Sequence, residues 1–255
     1  MGSRKSLTFR SPCIGVLFLA TIAAFATEQT PSAAPCSAGL ARPGDEVAAR
    51  LMSRNAERAQ KLRQVNSIRQ YSLDYTGFPP LSAQMKVQAS YTAPGTKKFT
   101  VISESGSSFI RKHVLHKLLE SEQEAFEPAN RAAALLSTAN YRFSLLGCEP
   151  GENRPLYVMR VEPLRENKFL YRGTIWIDSH DFAVTRIEAE PAKNPSFWIT
   201  RSQIDHQYEK IGEFYLPALN RTVTDVRLGG KAVLTIRYLD YKLPQQLASG
   251  LETHP

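Results

Sequence analysis

The stretch that decides the fold runs from Tyr171 to Tyr241: YRGTIWIDSHDFAVTRIEAEPAKNPSFWITRSQIDHQYEKIGEFYLPALNRTVTDVRLGGKAVLTIRYLDY. Its large side chains recur at a period of two, and turn-forming clusters interrupt them at Asp178-Ser179-His180-Asp181, Lys210-Ile211-Gly212-Glu213 and Gly229-Gly230. The pattern predicts strands over Phe169–Asp178, Phe182–Glu190, Phe197–Tyr208, Phe214–Leu228 and Ala232–Tyr241. Strands joined by two to five residues must be antiparallel neighbours, because a parallel crossover needs a dozen residues or more.

The same reading extends upstream. Tyr141–Leu146 and Leu156–Glu162 continue the meander, and Tyr71–Gly77, Gln84–Tyr91 and Lys98–Glu104 precede it. In the second of these, Met85, Val87, Ala89 and Tyr91 alternate with Lys86, Gln88 and Ser90, giving one apolar face and one wet face. Between the two groups of strands lies a helical segment from Ser108 to about Leu136, broken near Pro128, with Ile110, Val114, Leu118, Ala132 and Leu135 as its apolar positions. Ahead of all the strands, Val47, Leu51, Ala59, Leu62 and Val65 form a helical stripe that starts after Gly44-Asp45. The opposite side of that helix carries Arg50, Arg54, Arg58 and Lys61, read as a solvated face.

About ten antiparallel strands in one sheet must curl or split. Two helical segments are too few to cover both faces of such a sheet, but they can cover its inside. The expected class is therefore α+β, mostly antiparallel β: a curled half-barrel with helices on the concave side. Several strands carry large apolar residues on both faces, among them Tyr171, Ile175 and Ile177 against Leu170 and Trp176. Either an ordinary packed core or an apolar hollow accounts for them. For a hollow, the expected lining is Met85, Val87, Val101, Met159, Ile175, Ile187, Trp198 and Ile236.

The chain begins with an address. Arg4, Lys5 and Arg10 precede an apolar run, Cys13 to Ala26, that ends in Ala24-Phe25-Ala26. A basic start, an apolar stretch and an A-x-A end read as a secretory signal over residues 1–26, and the run is shorter than the roughly 20 residues of a membrane-crossing helix. Residues 27–43 read as a disordered linker, 44–245 as the folded domain and 246–255 as a tail. Neither Cys13 nor Cys36 has the setting of an acylated lipoprotein cysteine, and Cys36 and Cys148 are open to pairing or to remaining separate thiols.

The 255 residues are 42% hydrophobic and 22% charged, which excludes collagen-like, low-complexity and multi-span membrane classes. Without the three cations of the signal, the formal charge of +8 falls to +5, spread too thinly to argue for nucleic acid. No G-x-S-x-G, H-E-x-x-H, phosphate-cradling glycine loop or C-x-x-C occurs. His113 and His116 read as an exposed helix face, Asp178, His180 and Asp181 as a hairpin turn, and Glu188 and Glu190 as a solvated strand face. No catalytic residue, metal or cofactor is expected.

The order of elements resembles the LolA–LolB–RseB-like lipoprotein-binding superfamily, and in particular outer-membrane lipoprotein-sorting proteins. The likeness is carried by W-I-D-x-x-D-F-A-V-T-R-I-E, from Trp176 to Glu188, and by G-E-F-Y-L-P, from Gly212 to Pro217. The resemblance implies a non-enzymatic periplasmic carrier whose half-barrel shelters acyl chains of a lipoprotein or lipid-like ligand. It also implies helices that act as a lid, held by an arginine on a strand, for which Arg142, Arg160, Arg172 and Arg186 have no distinguishing motif. A second reading is an envelope-stress-type regulatory protein that binds a membrane-anchored protein partner. A regulator of that kind carries a second C-terminal domain, and about 14 residues follow Tyr241 here.

Overall fold

The computed structural model describes residues 33–194, 197, 199–227 and 229–244. The signal segment, residues 27–32 of the linker, Trp198 and the 246–255 tail lie outside the described residues. The first helix, α1 (Gly44–Lys61), is followed by β1 (Gln64–Tyr75), β2 (Leu81–Thr92) and β3 (Thr96–Gly106). Then come α2 (Ser108–Ile110), a π-helical turn (Arg111–Leu115), α3 (His116–Phe126) and α4 (Pro128–Ala134). The rest is strand: β4 (Tyr141–Glu149), β5 (Leu156–Pro163), β6 (Tyr171–Asp178), β7 (Val184–Pro191), β8 (Ile199–Ile211), β9 (Phe214–Val226) and β10 (Lys231–Lys242).

All ten strands form one unclosed antiparallel sheet in the order β3-β2-β1-β10-β9-β8-β7-β6-β5-β4. This is the curled α+β arrangement expected from the alternation. The pairing of β1 with β10, from Asn66 opposite Lys242 to Tyr75 opposite Ala232, joins the two groups of strands. Consequently β3 and β4, consecutive in the strand sequence, stand at opposite edges. The segment that connects them, α2 to α4, has to traverse the inner side of the sheet, and we call it the strap.

Alternation dictates which residues face inward. In β1 these are Ser67, Arg69, Tyr71 and Leu73, and in β2 Ala83, Met85, Val87 and Ala89. The strap sets Ile110, Leu115 and Leu119 on Tyr71, Leu73, Met85 and Val87. At the other end of the sheet, Val47, Ala48 and Leu51 of α1 pack on Tyr141, Tyr157, Met159, Val161, Ile175, Ile177 and Phe182. The inner face thus has two apolar centres under two separate covers. Gly106 opens the strap at φ +82°, where a Cβ would lie 2.4 Å from the Ser82 carbonyl oxygen, so only glycine fits that turn.

Two elements differ from the expectation. The helix stops at Lys61, so Val65 belongs to β1 and pairs with Tyr91 instead of continuing the apolar stripe. The first strand accordingly starts well before Tyr71, because pairing on both sides outweighs the polar composition of Gln64 to Gln70. Residues 33–43 are likewise not a loose linker. Ala34 bridges Cys148 through two backbone hydrogen bonds of 3.1 and 2.7 Å, and Cys36 is disulfide-bonded to Cys148. These ties blunt the β4 edge, which would otherwise offer unpaired backbone groups.

The disulfide closes a loop of 112 residues, so its removal releases much unfolded-state entropy. Cys36→Ala is expected to lower stability by about 3–5 kcal/mol in denaturant titrations. An unchanged midpoint would show that the bond adds nothing to the pairing beside it.

Candidate functional site

Between the two covers the inner face of β6 to β9 has no helix packed fully over it, and a half-open hollow of about 530 Å³ remains. Its roof is the last turns of α1 (Asn55, Arg58, Ala59, Leu62) together with Ala134 and Leu136 at the end of the strap. Its floor is Tyr171 of β6, Ile187 and Ala189 of β7, Ile204, His206 and Tyr208 of β8, and Leu216 and Asn220 of β9. Ala183, Val184, Phe214 and Tyr215 complete the wall at the hairpin ends.

The rim is built by the β6–β7 turn. Asp178 Oδ1 accepts the backbone N–H groups of His180 (2.9 Å) and Asp181 (2.7 Å), the local bonding for which aspartate is suited to turns. Phe182 takes a positive φ of 49° and stacks on Tyr157 with ring centres 6.0 Å apart. Arg58 of α1 donates to the carbonyl oxygens of Asp181 and Phe182 and lies over the Tyr215 ring at 5.5 Å, as Arg50 lies over the Phe182 ring at 5.3 Å. The Asp181 carboxylate accepts from Lys210, from the Tyr215 hydroxyl at 2.7 Å and from His180 at 2.9 Å. Burial opposes its charge, but Lys210, His180 and Tyr215 together hold its pKa well below the usual carboxylate range.

A second polar group lies where the strap crosses β1. Arg69 donates to Glu122 of α3 at 2.8 Å, and Lys97 of β3 donates to the other oxygen of the same carboxylate. The Arg69 guanidinium sits between the rings of Tyr238 (4.8 Å) and Phe99 (5.2 Å). Burial works against all three charges. For Glu122, Lys97 and Arg69 overcome it and keep the carboxyl below its ordinary pKa; for Lys97, burial prevails and lowers the ammonium pKa. His206 stacks on Tyr208 at 4.6 Å and on Tyr238 at 6.0 Å, so one run of rings connects the hollow with Arg69. Burial pushes the His206 pKa down to about 4, with Glu122 and Asp205 acting against that shift and Arg69 and Lys97 adding to it.

Of the residues expected to line a hollow, Ile187 does so. Met159 and Ile175 are packed under α1, and Met85 and Val87 under the strap with Ile236 beside them. Val101 is 37% exposed on the edge strand β3. The residues that the sequence reading missed are Arg58, Tyr171, Ile204, His206, Tyr208 and Leu216. Ile204, His206 and Tyr208 recur at period two, which is the signal that could have placed them together. The remaining polar candidates have local partners: His116 meets Glu104 at 2.9 Å, Glu188 meets Arg186, and Glu190 meets Arg201 at 2.7 Å. Among the described residues no three His, Cys, Asp or Glu side chains are grouped to hold a metal ion.

No family model matches the chain, and no curated protein does either. Solved structures with a similar course include a DUF1329 family protein from Desulfovibrio piger, at 13% identity and a TM-score of 0.45 over 82% of this chain and 96% of that one. A LolA superfamily protein from Nitrosomonas europaea aligns at 12% identity and a TM-score of 0.37 over 80% of this chain and 94% of that one. An outer membrane lipoprotein-sorting protein domain from Vibrio parahaemolyticus aligns at 10% identity and a TM-score of 0.42 over 81% of this chain and 96% of that one.

Two outcomes follow from the polar groups. Glu122→Gln leaves Arg69 and Lys97 without a counter-charge and is expected to lower stability by about 3 kcal/mol in chemical denaturation; a loss below about 0.5 kcal/mol would mean that water already screens the group. His206 is neutral when folded and binds a proton more readily unfolded, so its effect is absent above about pH 6.5 and destabilises as pH falls from there toward about 4. His206→Phe should flatten the stability profile across that window, and an unchanged slope would assign it to other groups.

Proposed function

We propose that this chain is an exported, non-enzymatic carrier that shelters a lipid acyl chain on the concave face of its sheet, in the service of outer-membrane lipoprotein sorting. The observation that carries the reading is the hollow of about 530 Å³ between α1, the end of the strap and β6 to β9, walled mainly by apolar side chains. Transfer of hydrocarbon into it is worth on the order of 0.8 kcal/mol per methylene, so one chain supplies ample affinity. A periplasmic setting agrees with the Cys36–Cys148 bond, since such bonds persist in oxidising compartments.

In this reading the strap is the lid, and Arg69 is the strand arginine that holds it, through Glu122. Ile187 meets the ligand in the closed form. Met85, Val87 and Ile236 beneath the strap, and Met159 and Ile175 beneath α1, meet it when their covers lift. A partner that binds the lifted form better than the closed one shifts the balance toward opening. The second reading, an envelope protein that binds a protein partner, has its support in the unpaired outer edge of β3, where Val101 and Ile102 stand exposed.

The test is native mass spectrometry of protein taken from the periplasm, with titration of a fluorescent fatty acid. Retained lipid mass and saturable binding are expected, and Ile204→Trp, which fills the hollow, should weaken binding at least tenfold with the fold intact. An empty protein that binds no fatty acid, and leaves the periplasm with one envelope protein attached, would replace the carrier reading with the second one.

A further inference from the structure

The floor of the hollow is not uniformly greasy. Tyr171, His206 and Tyr208 line it, and each lies deep in the protein while keeping accessible surface toward the empty space. The His206 Nε2 atom is buried and has no hydrogen-bond partner. The Tyr171 backbone N–H donates to Tyr141, but neither the Tyr171 nor the Tyr208 hydroxyl pairs with any group among the described residues. By contrast, Tyr215 at the rim donates to Asp181, and Tyr241 donates to the Pro217 carbonyl oxygen. A polar atom withdrawn from water without a partner is costly; in this wall His206 Nε2 is such an atom, and the unpaired Tyr171 and Tyr208 hydroxyls stand in the same wall.

The size of the hollow narrows the occupant. A methylene takes close to the liquid share of a water molecule, about 30 Å³. The 530 Å³ is on the scale of one long acyl chain. The electrostatics narrow it further. The inner-face charges that act on His206 are the Arg69–Glu122–Lys97 group, two cations against one anion, and Arg58 adds a cation in the roof of the hollow, so the charges favour an oxygen acceptor over a cationic head. Asp205 also acts on His206, and is itself paired with Arg186 at 3.2 Å.

The geometry points to a single-chain ligand whose carboxyl-derived oxygen enters the hollow and takes hydrogen bonds from Tyr171, Tyr208 and His206. This deepens the carrier reading and rests on it: the site selects one acyl chain with an oxygen end, either a free fatty acid or a monoacyl ester. The tyrosine hydroxyls donate, and neutral His206 donates from Nε2 in the matching tautomer.

The experiment measures displacement of bound N-phenyl-1-naphthylamine by decanoic acid, methyl decanoate, decane and didecanoyl phosphatidylcholine, in the full mature chain. The variants are Tyr171→Phe, Tyr208→Phe and His206→Phe, which keep the rings and remove the polar atoms. Expected is at least a tenfold weakening of the acid or the ester in the combined Tyr171→Phe, Tyr208→Phe variant, with decane affinity changed less than twofold. His206→Phe should act in the same direction. Weakening of the acid alone identifies a carboxylate, and weakening of both identifies the carbonyl as the recognised group. If the oxygenated ligands are unchanged, water satisfies these side chains and the inference falls while the carrier reading stands. Equal weakening of decane, or a didecanoyl lipid that binds as tightly as the acid, also overturns it. If none of the four displaces the probe from a folded protein, the carrier reading fails with it.

Discussion

A half-buried carboxylate, Glu122, shared by two buried cations fixes the arrangement of this molecule. The sheet places β3 and β4 at opposite edges, so the strap between them must cross the inner face. Apolar contacts hold its first half on β1 and β2, and Glu122 is gripped by Arg69 and Lys97 at the point where it leaves that support. Such a group adds little net stability, because the cost of removing charges from water offsets most of their attraction. What it supplies is position. A tether of this kind holds one register firmly yet gives up little free energy when water enters, as the proposed carrier role asks of a lid.

The other ties of the strap are of a different kind. Lys168 meets Glu124 at 2.7 Å, and Arg111 and His116 meet Glu104 of β3, but these pairs are more open to water than Arg69 and contribute less. Arg69 is distinct because its guanidinium is also enclosed between Tyr238 and Phe99. Tyr238 in turn stacks with His206, whose other face meets Tyr208 in the wall of the hollow. A change at the wall is therefore two ring contacts from the tether.

Much of the architecture was legible in the sequence because alternation reports directly on which face is buried. Met85, Val87 and Ala89 against Lys86, Gln88 and Ser90 define the orientation of β2 with no other information. The partnership of β1 and β10 had no such signal, since strands separated by most of the chain leave no mark of their register in local composition. The hollow was misplaced for a related reason. Choosing the most apolar inward residues selects those that a helix covers best, and Met159, Ile175, Met85 and Val87 are packed under α1 or the strap. The wall itself mixes Tyr171, His206, Tyr208 and Asn220 with smaller apolar side chains, a composition that resembles neither core nor surface.

The dimensions of the elements explain why space remains at that place. Ten strands at about 4.8 Å spacing extend about 43 Å from edge to edge along the curve of the sheet. The 18 residues of α1 give about 27 Å of helix, and its apolar stripe is spent on β4 to β7 before the chain turns at Leu62 into β1. The strap covers the far side with Ile110, Leu115 and Leu119, then reaches the first cover only with Leu136. Inner residues of β8 and β9 fall between the two. Closing that gap by longer helices would fill the interior, so the hollow follows from where α1 and the strap end and not from any loosening of the sheet.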